Sequence, residues 1–139
     1  MTLKSIIFLT FLIGLMSFTD IKVIRLPYPD HFPNPTFDFQ KTPLDSTKIL
    51  LGRILFYDPI LSKDNSISCA SCHSPYNAFA HTDHDLSHGI YDAIGTRNAP
   101  ALFNLAWQKE FMWDGAINHI DMQALAPISH PGEMGSSIN

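Results

Sequence analysis

Along the chain, apolar residues gather into a few blocks separated by stretches rich in proline, glycine and polar side chains. The clearest helical block is Lys48-Ile49-Leu50-Leu51-Gly52-Arg53-Ile54-Leu55-Phe56, where Leu51, Ile54 and Leu55 share one face at helical spacing. Asp45 or Ser46 stands where a cap is wanted, and Asp58-Pro59 ends the block. Leu61 to Ser68 is polar and reads as a loop, as do residues 74–97 with Pro75, Gly89 and Gly95. A second helix is predicted over Ala99 to Trp107, with Asn98 as its cap and Pro100 tolerated in the first turn. Short helical turns are expected at Phe111–Asp114 and His119–Leu125, after which Pro127, Pro131 and Gly132 break the pattern. No segment alternates apolar and polar residues between hairpin signals. The predicted class is all-α with long loops.

The amino terminus is a different kind of segment. Lys4 precedes an apolar run from Ile6 to Met16, followed by Ser17 and Thr19. That is the shape of a secretory signal over residues 1–19. The run is short for a membrane span, which needs about twenty residues. No small-x-small cleavage site precedes Asp20, so an uncleaved membrane anchor is the alternative. Residues 20–43 carry Pro27, Pro29, Pro33, Pro35 and Pro43, which block regular helix and predict an extended, wrapping segment. Residues 44–139 then form the domain proper.

Composition narrows the picture modestly. With 45% hydrophobic and 16% charged residues, the chain suits one soluble domain rather than a disordered one. The net charge of −4 becomes −5 without residues 1–19, and no basic patch is visible, which argues against a nucleic-acid partner. A core of this size gains from a large apolar cofactor at its centre.

The two cysteines are too few and too close for a disulfide scaffold. They stand in Cys69-Ala70-Ser71-Cys72-His73. Two thiols three positions apart on a helical turn can each add to a haem vinyl group, and the histidine that follows can reach the iron. A thioredoxin-type dithiol would follow a strand in a βαβ pattern, and none is present. A zinc site would need further ligands, for which His81 and His84 are the nearest candidates. Covalent haem c with His73 as proximal ligand is the reading the motif favours. For the other face of the iron the candidates are His81, His84, His88, His119, His130, Met112, Met122 and Met134. A methionine there favours an electron carrier, a histidine or an open position low-potential ligand chemistry.

Several further blocks carry a family resemblance. Leu51-Gly52-Arg53-Ile54-Leu55-Phe56-Tyr57-Asp58, Leu61-Ser62 and Ser66-Ile67-Ser68 precede the haem motif. Arg97-Asn98-Ala99-Pro100, Phe111-Met112-Trp113-Asp114-Gly115, Gln123-Ala124-Leu125-Ala126-Pro127-Ile128 and Glu133-Met134-Gly135 follow it. In this order they resemble the amino-terminal half of bacterial di-haem cytochrome c peroxidases and the related MauG proteins, from about Leu44 onward. The resemblance implies a cytochrome c-like peroxidatic haem domain acting on hydrogen peroxide in the periplasm. It also implies a carboxy-terminal haem domain fed by a small cytochrome or cupredoxin donor, with a homodimer as the assembly to test. No second Cys-x-x-Cys-His occurs here, so the expectation is a chain holding only the first half.

Residue by residue, the resemblance makes Cys69, Cys72 and His73 the haem attachment and proximal ligand, and His88 a distal ligand that departs on activation. Gly89 and Gly95 bracket a segment able to move with it. Glu133 matches the distal glutamate, whose carboxyl can take a proton from one peroxide oxygen and deliver it to the other. Gln123 and Pro127 match residues lining that pocket, and Trp113 a tryptophan between the two haems. Asn98 matches a ligand of an interdomain calcium ion, a hard cation that takes oxygen donors. Ala116 stands where the family often has an arginine. Two rivals remain: a mono-haem electron-transfer cytochrome ligated through Met134 or Met122, and a haem-based sensor of small molecules.

Overall fold

The structure is a computed structural model, and it describes residues 23–137. Residues 1–19, read as a signal, lie outside them. Among the described residues no helix is long and apolar enough to cross a membrane.

A short antiparallel pair opens the fold: β1 (Val23–Ile24) against β2 (Leu44–Asp45), with Ile24 opposite Leu44. The proline-rich stretch runs between them. Thr36 and Phe37 donate their backbone N–H groups to the Ala106 carbonyl, and the Trp107 indole donates to Pro33 O at 2.7 Å. Tyr28 and Phe32 meet the Trp107 ring edge to face. Proline keeps the strap extended and leaves carbonyls free to accept.

α1 (Ser46–Tyr57) forms where the apolar spacing placed it, capped by Asp45, whose carboxylate accepts from Thr47 N and Lys48 N. Asp58 ends it and caps the 3-10 turn Pro59–Leu61 that follows. α1 packs against α2 (Cys69–Cys72), the turn that carries both thiols. Leu51 and Ile54 nevertheless remain more than half exposed, so the apolar face read from the sequence is not a core face within the described chain.

Three expectations are corrected. Residues 99–107 are not a helix: only a 3-10 turn at Leu105–Trp107 forms, behind Asn104 in the left-handed region. Phe111–Asp114 is not a helical turn either, because Phe111 bridges Ile117 across a tight loop with Met112 and Gly115 at positive φ. Pro127 does not break the pattern but sits inside α4 (Leu125–Ser129), within the first turn, where its missing N–H has no intrahelical partner to lose. The turn expected near His119–Leu125 is present as α3 (Ile120–Gln123), capped by His119. The all-α expectation holds apart from the two-residue strands. The buried apolar residues are few, Ile90, Phe111 and Met134, and two of these meet where the 87–95 loop touches the turn at residues 130–136.

Candidate functional site

The site grows outward from α2. Ser68 precedes it, and its backbone N–H donates to the Ser71 hydroxyl at 3.1 Å, fixing the entry of the turn that presents Cys69 and Cys72. Both thiols are free and half-buried. Burial pushes both above the ordinary thiol range, and at Cys72 the Glu133 carboxylate pushes the same way. The Glu133 carboxylate itself lies 3.7 Å from His130 Nδ1.

His73 ends α2, and the chain then doubles back. A 3-10 turn at Pro75–Asn77 is followed by Ala78 and Phe79, both left-handed, and Ser74 bridges Ala80. This brings the Phe79 carbonyl to 2.9 Å from His73 Nδ1. A carbonyl only accepts, so Nδ1 carries the proton and the lone pair lies on Nε2. Phe56 of α1 packs edge-on against Phe79 and holds that turn.

His88 shows the same polarity. Its Nδ1 lies 2.6 Å from Asp92 Oδ1, and an ionised carboxylate only accepts, so again Nε2 is left with the lone pair. The other ring contacts differ. His119 Nδ1 accepts from Asp121 N and His130 Nδ1 from Gly132 N, which puts the proton of the neutral ring on Nε2. His81 Nε2 and His84 Nδ1 face one another at 3.4 Å. His31 stacks on Phe32. Among the methionines, Met112 Sδ accepts from the Gln123 amide at 2.9 Å, Met122 is half exposed, and Met134 is buried. His73 and His88 hold Nδ1 within hydrogen-bonding distance of an oxygen, at 2.9 and 2.6 Å, which frees Nε2 for a metal; at His119 and His130 the carboxylates of Asp121 and Glu133 stand farther from Nδ1, at 3.6 and 3.7 Å.

Glu133 is brought to His88 through the backbone. Ile90 N–H donates to Glu133 O at 2.8 Å, Lys63 N–H to Met134 O at 2.9 Å, and Met134 N–H to the carbonyl of Pro127 at 3.2 Å. Cys72 Sγ reaches His88 O at 3.7 Å. Cys72, His88, Glu133 and Pro127 therefore belong to one assembly. The segment bracketed by Gly89 and Gly95 is closely packed at its first end. Gly89 is buried, and a Cβ there would lie 2.1 Å from Gly132 O and 2.7 Å from Glu133 Cα.

A second group forms around residues 97–123. Trp113 is 63% exposed, and its indole donates to Asn98 O at 2.7 Å. Arg97 pairs with Asp114 at 2.9 Å, so an arginine does serve this loop although Ala116 stands at the expected place. That guanidinium, followed by the Ala116 amide, holds the Asp114 carboxyl below the usual range. Asn98 Oδ1 and Gln123 Oε1 are buried with no hydrogen-bond partner. An orphan oxygen at Asn98 suits a hard cation, yet among the described residues no cluster of three or more acidic, histidine or cysteine side chains completes a metal site. Asp92 and the Phe79 carbonyl were not singled out in the sequence, because both act through left-handed backbone at residues without glycine.

Two adjacent thiols and an imidazole with Nε2 free are the donor set of a covalent haem c, and the residues present fit that group. A c-type haem-binding domain is thus the class that fold and site define. The chain belongs to the di-haem cytochrome c peroxidase family, whose model matches residues 46–139. It is 36% identical over 121 residues to the methylamine utilization protein MauG of Methylorubrum extorquens, covering 83% of this chain and 31% of that protein. It is 40% identical over 109 residues to the cytochrome c peroxidase Ccp of Escherichia coli, covering 78% of this chain and 23% of that one. The crystal structure of a MauG-like protein associated with microbial copper homeostasis superposes with a TM-score of 0.73 at 33% identity, over 83% of this chain and 33% of the other. The chain thus spans less than a third of the length of these two relatives.

Proposed function

We propose that this chain is the peroxidatic haem domain of an exported, periplasmic peroxidase that reduces hydrogen peroxide to water, with electrons from a partner haem or a small redox protein. The observation that carries the reading is that the segments bearing Cys72, His88 and Glu133 meet, through Cys72 Sγ on His88 O and the backbone bond from Ile90 N–H to Glu133 O. A simple electron carrier needs a permanently ligated iron and no carboxylate beside it.

Bound at Cys69 and Cys72, the haem iron would supply the electrons and the Lewis acidity for O–O cleavage. The protein's part is to hold groups and move protons. His73 would hold the iron through Nε2, kept in that tautomer by Phe79 O. His88 would offer its Nε2 as a second ligand and withdraw for substrate to enter. Glu133 would accept a proton from one peroxide oxygen and return it to the departing one. Pro127 anchors the Glu133 turn by accepting from Met134 N–H, and Gln123, whose amide donates to Met112 Sδ in the neighbouring group, would serve the same pocket by its family resemblance alone. Trp113, exposed and bonded to Asn98 O, would face the electron-supplying partner, and the unpartnered Asn98 Oδ1 would serve a calcium ion shared with it.

Stopped-flow mixing of the reduced, haem-loaded chain with hydrogen peroxide tests this. Rapid oxidation is expected, slowed about 100-fold or more in Glu133→Gln because general acid–base catalysis contributes that order. A methionine-ligated spectrum indifferent to peroxide would instead establish the electron carrier.

A further inference from the structure

We propose that Asp92 is a positioning residue that selects the metal-binding tautomer of His88 and so sets how firmly His88 holds the sixth position of the iron. This rests on the reading of His88 as distal ligand.

The argument begins with the backbone. The 87–95 segment closes on itself: Gly95 N–H donates to Ser87 O at 2.9 Å, Gly89 N–H to Ala93 O at 2.8 Å, and His88 bridges Ile94. At its tip, Ala93 N–H donates to Ile90 O at 3.1 Å, and the two central residues, Tyr91 and Asp92, are both left-handed, with φ of 54° and 59°. That is the geometry of a hairpin turn whose central positions favour asparagine and glycine. A tyrosine and an aspartate occupy them instead. The tip therefore does not carry the residues that suit its backbone best.

What Asp92 gains there is a contact. Four residues back along the hairpin, its Oδ1 lies 2.6 Å from His88 Nδ1. The pair contributes little to stability, since the Asp92 side chain is 84% exposed and ion pairs in water are weak. The tautomer is another matter. Without an acceptor at Nδ1, a neutral imidazole can place its proton on either nitrogen, and protonation at Nε2 removes the lone pair the iron needs. The Phe79 carbonyl does the same for His73, so the two imidazoles that would hold the iron are polarised alike. The difference lies in the partner. Phe79 O is fixed backbone behind a half-buried ring, whereas Asp92 is an exposed side chain that can let go. The proximal ligand is held permanently and the distal one releasably.

Residues that orient a metal ligand typically change its binding 10–100-fold when removed. The test uses the full, haem-loaded chain in its oxidised form, reading the low-spin fraction by EPR and titrating imidazole as a competing sixth ligand. Asp92→Gly suits the turn better than the native residue, so its melting temperature should not fall. Its low-spin fraction should drop, and imidazole should bind about tenfold more tightly. Asp92→Asn keeps an acceptor oxygen and should behave like the native protein. In a His88→Ala background Asp92→Gly should change nothing. Native low-spin fraction and imidazole affinity in Asp92→Gly would overturn the proposal. So would an Asp92→Asn variant as affected as the glycine, since charge rather than tautomer would then be at work. A His88→Ala chain with an unaltered spectrum would remove His88 as ligand, and the role of Asp92 with it.

Discussion

Adding one methyl group at Gly89 tests the reasoning that binds the two halves of the site. Gly89 has φ of −100° and ψ of −160°, an extended conformation open to any residue, so alanine there costs nothing in its own backbone. The penalty comes from across the interface. The new Cβ would stand 2.1 Å from Gly132 O and 2.7 Å from both Glu133 Cα and Glu133 O. All three are backbone atoms, and none can rotate aside as a side-chain tip can. The segments must part by more than an ångström, which breaks the 2.8 Å bond from Ile90 N–H to Glu133 O and loosens buried Ile90 and Met134. Overpacking costs about 1–3 kcal/mol and a buried group left without its partner about 1–3 kcal/mol. Taking about 3 kcal/mol in all, a domain of roughly 100 residues should melt about 12–24 °C lower. Differential scanning calorimetry of haem-loaded Gly89→Ala reads this directly, and the reaction with peroxide should slow because the Glu133 turn has moved. A melting temperature within about 2 °C of the native one would refute the close packing of these two strands of chain.

Other expectations concern the periphery. Trp107→Ala removes the ring that Tyr28 and Phe32 pack on and the bond to Pro33 O, and should cost about 3 kcal/mol. Trypsin should then cut faster after Lys41, and an unchanged rate would show that the strap is held elsewhere. Asp114, whose folded pKa is lowered chiefly by Arg97, adds stability that is present above its unfolded value near pH 4 and lost as pH falls through the folded one. The melting-temperature gap between native chain and Asp114→Asn should thus be largest near neutrality and close in stronger acid. A gap that widens on acidification would contradict the sign.

How far the sequence reached depended on whether the deciding interaction was local. α1 and its Asp45 cap were legible because spacing and capping lie within a dozen residues. Residues 99–107 misled because Ala101, Leu102 and Leu105 fit a helical face while the backbone is spent elsewhere. Ala106 O accepts from the strap, Asn98 O from Trp113, and Asn104 turns left-handed. Tertiary partners outweighed propensity. The haem motif was readable because covalent attachment demands adjacent residues. Glu133 came only through family resemblance, which also singled out His88 among the candidate ligands, since no periodicity reveals that distant loops meet. Asp92 and the Phe79 carbonyl were out of reach, because nothing in a Tyr-Asp or Ala-Phe pair announces a left-handed turn.

The strap that Trp107 fastens also says something about time. Its bonds join residues 70, 72 and 74 positions apart, whereas the bond that orients His73 spans six. Closing a loop of about 70 residues costs on the order of 4 kcal/mol of chain entropy before any contact rewards it. The imidazole that receives the iron can therefore be set almost as soon as its own turn exists, while the strap waits until residue 107 has emerged and found it. Order of assembly follows: the cysteines and the histidine after them are ready for modification on a nascent chain still open at its amino end, and the strap closes only once residue 107 is available.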